Sequence, residues 1–111
     1  MPTVNTYFQE DRHLPQLEAI TSPLKLLVAK ELTCGDRTLN PDEISVRLLQ
    51  SLGSGMIADI EMDIVAAPYA ERIERQDEIC RNVADFVMAS VKDVKDIKVW
   101  ISLNELGHSW E

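Results

Sequence analysis

Polar and apolar residues alternate from Thr3 to Phe8, with Val4, Thr6 and Phe8 on one side and Thr3, Asn5 and Tyr7 on the other. A period of two predicts a strand, and the charged run from Gln9 to His13 ends it. The period then lengthens. Leu14, Leu17, Ile20, Leu24, Leu27 and Val28 recur at steps of three or four, which predicts one helical face running to about Leu32. Pro23 interrupts that face. With Ser22 it reads either as the cap and first-turn proline of a second helix or as a kink. The apolar stripe keeps its phase across the proline, which favours one kinked helix. Cys34-Gly35 supplies the stop.

Leu39 to Asp42 is turn chemistry, after which Ile44, Val46 and Leu48 alternate with Ser45, Arg47 and Leu49 as a second strand. The run "GSGM" is a flexible connection. Ile60, Met62 and Ile64 then alternate with Asp59, Glu61 and Asp63, predicting a strand with one buried face and one wet or partner-facing face. Pro68 ends it. A second amphipathic helix turns Ile73, Ile79, Val83, Phe86, Val87 and Val91 inward, and a last strand sets Ile97, Val99, Ile101 and Leu103 against Lys98, Trp100 and Ser102.

The order is β-α-β followed by β-α-β, with halves at about 2–52 and 57–107 of a single domain spanning 1–111. Laying "EISVRLLQSLG" on "DIKVWISLNELG" places Ile44 on Ile97, Val46 on Val99 and Arg47 on Trp100. Right-handed crossovers put both helices on one side. The expectation is an α+β fold, a four-stranded mixed sheet with two helices on one face. The other face, bearing Asn5, Arg47, Asp63, Lys98 and Trp100 among others, is solvated or buried against other subunits.

Composition narrows the function. Of 111 residues 45% are hydrophobic but only 5% aromatic, so the core is aliphatic. Eleven basic against nineteen acidic side chains give a net charge of −8, which argues against nucleic acid as a partner. Cys34 and Cys80 lack metal-ligand spacing, so no metal and no cofactor is expected, and they read as cytosolic thiols. No apolar stretch approaches ~18 residues and the start lacks the layout of a signal peptide, so the expectation is a soluble cytoplasmic protein away from membranes. His13 and His108 read as exposed loop and hairpin residues.

The opening Met1-Pro2 carries the first candidate chemistry. Proline costs little as the first residue of a strand, since it lacks only one N–H. A small second residue also lets the initiator methionine be trimmed, and the proline would then be a secondary amine. Partial burial disfavours its charged form, so it could serve as a general base at neutral pH.

These pieces resemble the tautomerase superfamily, which includes 4-oxalocrotonate tautomerase, 5-carboxymethyl-2-hydroxymuconate isomerase and macrophage migration inhibitory factor. The resemblance rests on "MP" opening a strand, the duplicated β-α-β layout, Ser45-Val46-Arg47 on the second strand, "ERIERQDEI" at the second helix and the ending "KVWIS…GHSW". "LPQL" followed by "TSPL" is most similar to the hydroxymuconate isomerase branch. The resemblance implies an isomerase of small unsaturated 2-oxo or 2-hydroxy carboxylic acids, with Pro2 as general base once Met1 is gone. It also implies a homotrimer whose sites lie between subunits, with Asp59, Glu61 and Asp63 lining a polar interior. Arg47 falls where the family binds or polarises the substrate's carboxylate or carbonyl, although it could instead pair with Glu61 or Asp63. Arg72, with Arg75 as the alternative, falls on a second substrate-binding arginine, and Trp100 on an aromatic pocket residue or a subunit contact. A trimeric binding or scaffold protein without catalysis is the alternative reading.

Overall fold

In a computed structural model, which describes residues 2–35, 38–105, 107 and 109, the chain forms four strands and three helices. They are β1 (Thr3–Phe8), α1 (Leu14–Leu32), β2 (Ser45–Gln50), β3 (Ile60–Ala66), α2 (Ala70–Glu74), α3 (Gln76–Ser90) and β4 (Ile97–Leu103). Among the described residues there is no cis peptide, and no helix is long and apolar enough to cross a membrane.

The strands order as β2-β1-β3-β4 in one mixed sheet. Each half contributes a parallel pair, β1 with β2 and β3 with β4, and the halves meet through antiparallel β1–β3. This is the four-stranded mixed sheet that the alternation predicts. Val4, Phe8, Ile60, Met62 and Ile64 point to the helices and are almost wholly buried, together with Leu17, Leu24, Val28 and Leu32 of α1 and Ile79, Val83 and Val87 of α3. At roughly 1.5–3 kcal/mol for each such side chain, this aliphatic layer is the main favourable term in folding.

α1 runs unbroken through Pro23, which sits inside the helix. Its buried stripe keeps the expected phase at Leu17, Leu24 and Val28, with Ile20 and Leu27 packed against the core, and departs from it at the start. Leu14 is exposed and His13 is buried, four residues before Leu17, so the reading of His13 as an exposed loop residue is corrected. His108 lies outside the described residues. Entry to β2 is fixed by a reciprocal cap: Asp42 N–H donates to Asn40 Oδ1 (3.1 Å), and Asn40 N–H donates to Glu43 Oε2 (2.8 Å). The second expected helix is two helices. Its backbone leaves helical geometry at Arg75, where the guanidinium is drawn to Glu31 on α1.

Two buried side chains on this face lack hydrogen bonds among the described residues: Thr6 through Oγ1 and His13 through both ring nitrogens. An unsatisfied buried hydroxyl costs on the order of 1–3 kcal/mol. Thr6→Val keeps the shape and removes that cost, so it is expected to raise stability by about 1 kcal/mol. Ile64→Ala, at the same buried face two residues along β3 from the Thr6 partner Met62, is expected to lower it by about 2–5 kcal/mol. Thermal unfolding of both variants checks the pair.

Candidate active site

Pro2 is buried at the start of β1, and the two-residue period puts it on the side of Val4, Thr6 and Phe8. Its carbonyl accepts from Ser45 N–H at 3.1 Å, which registers β2 against β1. Because β3 runs against β1, the same end of the sheet gathers the start of β2, the end of β3 and the end of β4. Asn104 N–H closes that end by donating to Ala66 O (3.1 Å). Met1 lies outside the described residues.

The opposite, helix-free face can be read off the register. Arg47, Asn5, Asp63 and Trp100 form one row across all four strands, and Leu49, Tyr7, Glu61 and Lys98 form the next. Arg47 is exposed and makes no ion pair among the described residues. Strand β1 stands between it and both Asp63 and Glu61, a separation of two strands or roughly 10 Å between backbones. Along the sheet Arg47 is level with Asn5, three residues beyond Pro2, again roughly 10 Å, and it emerges on the other face. One chain therefore does not bring Pro2 and Arg47 to a common point.

The alternating carboxylates have separate tasks. Asp59 Oδ2 accepts from Lys95 N–H (2.8 Å), and Glu61 Oε2 accepts from the N–H groups of Ile57 (2.7 Å) and Ala58 (3.2 Å). Both hold loops. Asp63 alone of the three has no such bond among the described residues.

Arg72 is only 3% exposed. Its Nε donates to Leu32 O (2.9 Å), its Nη1 donates to Ala67 O (3.1 Å), and its guanidinium lies 4.7 Å from the centre of the Tyr69 ring. It fastens the end of α1 to the segment leaving β3. Glu71 adds a second tie, accepting from Gly35 N–H at 3.2 Å.

Arg75 lies in the helix layer, away from the sheet's open face. It donates through Nε to Glu78 Oε2 (2.9 Å), through Nη1 to Glu31 O (3.1 Å) and through Nη2 to Glu31 Oε1 (3.2 Å). Asn82 Nδ2 also donates to Glu31 Oε1, at 2.7 Å. The hydrogen bond to Glu78, reinforced by the charges of Glu78 and Glu31, holds the Arg75 guanidinium protonated beyond its ordinary range.

This polar cluster left little trace in the sequence, although Glu31 sits in the α1 stripe with Leu24 and Val28 and so had to face inward. Trp100, half exposed on edge strand β4, lines an open groove of about 300 Å³ with Gln76, Asp77, Cys80, Val99 and Ile101. Burial, with the charge of Asp77, pushes the Cys80 thiol up.

Two parallel β-α-β units joined through an antiparallel central pair make up a fold that solved structures share. The chain superposes on a macrophage migration inhibitory factor-like protein from Entamoeba histolytica with a TM-score of 0.70 at 11% identity, covering 99% of this chain and 93% of that one. Malonate semialdehyde decarboxylase, solved in wild-type, proline-mutant and inactivated forms, gives 0.68 at 9% identity over 92% of this chain and 84% of that one. A fused 4-OT, described as a symmetric trimer, gives 0.65 at 14% identity over 91% and 84%. At these identities the likeness is one of fold. No family model and no curated protein matches the chain.

Two outcomes test these side-chain roles. Arg72→Met leaves two buried carbonyls without their donor and is expected to cost about 2–4 kcal/mol, read as a fall in the denaturant midpoint. Cys80, with its thiol shifted upward, is expected to react with iodoacetamide at pH 8 more slowly than free cysteine. Asp77→Asn should recover part of that rate, as peptide mass mapping of the alkylated protein would show.

Proposed function

We propose that the protein is a tautomerase-like isomerase of small unsaturated 2-oxo or 2-hydroxy carboxylic acids, acting as a homotrimer with Pro2 as its general base after removal of Met1. One observation carries the reading: the fold opens on a buried proline at the head of a central strand, beside a strand that presents an arginine without an ion pair among the described residues. The amine takes a proton from the enol oxygen or the adjacent carbon and returns it to the other, so one group serves as base and then acid. Negative charge develops on the substrate oxygen, and a guanidinium there lowers the barrier while gripping the carboxylate with two parallel hydrogen bonds.

Arg47 of a neighbouring copy takes that place, because within one chain Arg47 stands too far from Pro2 and on the other face. Trp100 offers its half-exposed ring as an apolar wall at the opposite edge of the sheet. Arg72 and Arg75 support the site from behind, their donors being committed to Leu32, Ala67, Glu31 and Glu78. The trimer described for the fused 4-OT and the proline mutant made of malonate semialdehyde decarboxylase support the assembly and the choice of base. Commitment of two of the three candidate arginines also favours the second reading, a trimeric binding protein of the same fold without catalysis.

The test begins with the intact mass of natively produced protein, expected to lack Met1. Ketonisation of phenylpyruvate enol is then followed with wild type and Pro2→Ala. A fall of about 10²-fold or more is expected for the variant. A retained Met1, or equal rates in the two proteins, would leave the non-catalytic reading standing.

A further inference from the structure

Arg72 is a buried cation with no acid paired to it. Its guanidinium is almost wholly enclosed, yet among the described residues no carboxylate reaches it: Glu71 accepts from Gly35 N–H, and Glu31 is taken by Arg75 and Asn82. Burying a charge without an acid is costly, and a neutral amide could have bonded a single carbonyl instead. The planar fork does more, because it holds two carbonyls in one fixed relation. Nε takes Leu32 O, a carbonyl that the end of α1 leaves without a helical partner, and Nη1 takes Ala67 O, while the cation lies over the Tyr69 ring.

Ala67 has a particular place. β1 and β3 are antiparallel with Thr3 opposite Val65, so a step before Thr3 is matched by a step beyond Val65. Pro2 is therefore level with Ala66, and its nitrogen, at the leading edge of β1, lies on the side of Ala67. Neighbouring strands stand roughly 5 Å apart, so a substrate reaching that nitrogen meets the backbone around Ala67 as a wall. Other bonds secure what borders the wall. Pro2 O is held by Ser45 N–H and Ala66 O by Asn104 N–H, both at 3.1 Å. Beyond Ala66 the strand ends, Pro68 has no N–H to give, and the turn closes on itself through Tyr69 N–H donating to Ala67 O (3.1 Å). Arg72 ties this turn to the end of α1.

We infer that Arg72 is a positioning residue for Pro2: its grip on Ala67 O sets the backbone against which a substrate meets the proline nitrogen. This role rests on the isomerase reading of Pro2 and gives Arg72 a part in it without contact to the substrate. Proton transfer depends on close placement of the reacting atoms, and a displacement of about 1 Å can cost about 10²-fold in rate. A looser turn leaves the carboxylate grip of Arg47 as it was, so loss of Arg72 acts on kcat rather than on KM.

Steady-state ketonisation of phenylpyruvate enol tests it with wild type, Arg72→Met, Arg72→Lys and Val83→Ala, at a temperature where thermal unfolding shows each protein folded. Val83 is fully buried on α3, and its truncation controls for lost stability alone. Arg72→Met is expected to lower kcat roughly 10- to 100-fold with KM within about threefold of wild type. Arg72→Lys keeps the charge and a donor for one carbonyl, so it is expected to recover part of that loss, and Val83→Ala to keep the wild-type kcat. Should Arg72→Met fail to fold, Arg72→Lys against Val83→Ala decides, with a fall in kcat expected in the first alone. A rise in KM at unchanged kcat would overturn the positioning role and make Arg72 a substrate ligand. Wild-type kinetics in both Arg72 variants, or an equal fall in Val83→Ala, would overturn it as well. A readout without turnover separates this role from the reaction. In protein labelled with ¹⁵N proline, the Pro2 resonance, identified by its loss in Pro2→Ala, is expected to shift in Arg72→Lys and to stay in place in Val83→Ala. A Pro2 resonance unmoved in both would overturn the positioning role whatever the protein catalyses, whereas rates that survive Pro2→Ala would overturn the isomerase reading and this role with it.

Discussion

Everything in this protein hangs on the antiparallel pairing of β1 with β3. Val4 against Ile64, Thr6 against Met62 and Phe8 against Ile60 form a seam between two β-α-β units, each of which would expose its apolar face if alone. Joining them there places α1 and α3 on the same side of one sheet. The helices then bury that side together, and the other side is left open across all four strands. The buried half of the seam gives stability, and the open half is where charged and apolar groups are displayed.

The seam also fixes the fate of each arginine. Pro2, Ala66 and Ala67 come together because β1 begins where β3 ends, and the chain leaving β3 must turn over the end of α1. Arg72 fills that corner and satisfies the carbonyls of Leu32 and Ala67, a use of its fork of donors that needs no ligand. Arg75, at the junction of α2 and α3, is bonded to Glu31 of α1. Arg47 belongs to the open face, where no carboxylate among the described residues pairs with it. The proposed catalytic arginine is distinguished from the supporting ones by which side of the sheet it occupies.

The strands were legible because burial of one face imposes a period of two, and the pattern in Ile60, Met62 and Ile64 admits no other register. The first helix was legible in both extent and phase from Leu17 to Leu32, but not at its start, where His13 is buried and the apolar Leu14 beside it is exposed. At the helix break Arg75 reaches Glu31, 44 residues earlier, a pairing that leaves no local mark in the sequence. Nor could the sequence show that Arg72 binds backbone carbonyls, since those are common to every residue. Asp59 and Glu61 read as a wet, charged lining, yet each holds a loop through backbone N–H groups whose positions only the folded chain defines. The motif "MP" was visible from the start, and the fold gives its proline a location, buried at the head of a central strand.

The proposed chemistry turns on the Pro2 nitrogen, and that atom can be observed by itself. In protein labelled with ¹⁵N proline, its resonance is followed by nuclear magnetic resonance as pH is varied. The expected signal is that of a secondary amine, its shift moving with a single titration near or below the ordinary range of a free α-amino group. An amide resonance that stays fixed through the whole range would contradict the general-base role, because a Pro2 nitrogen still bonded to Met1 cannot accept the substrate's proton.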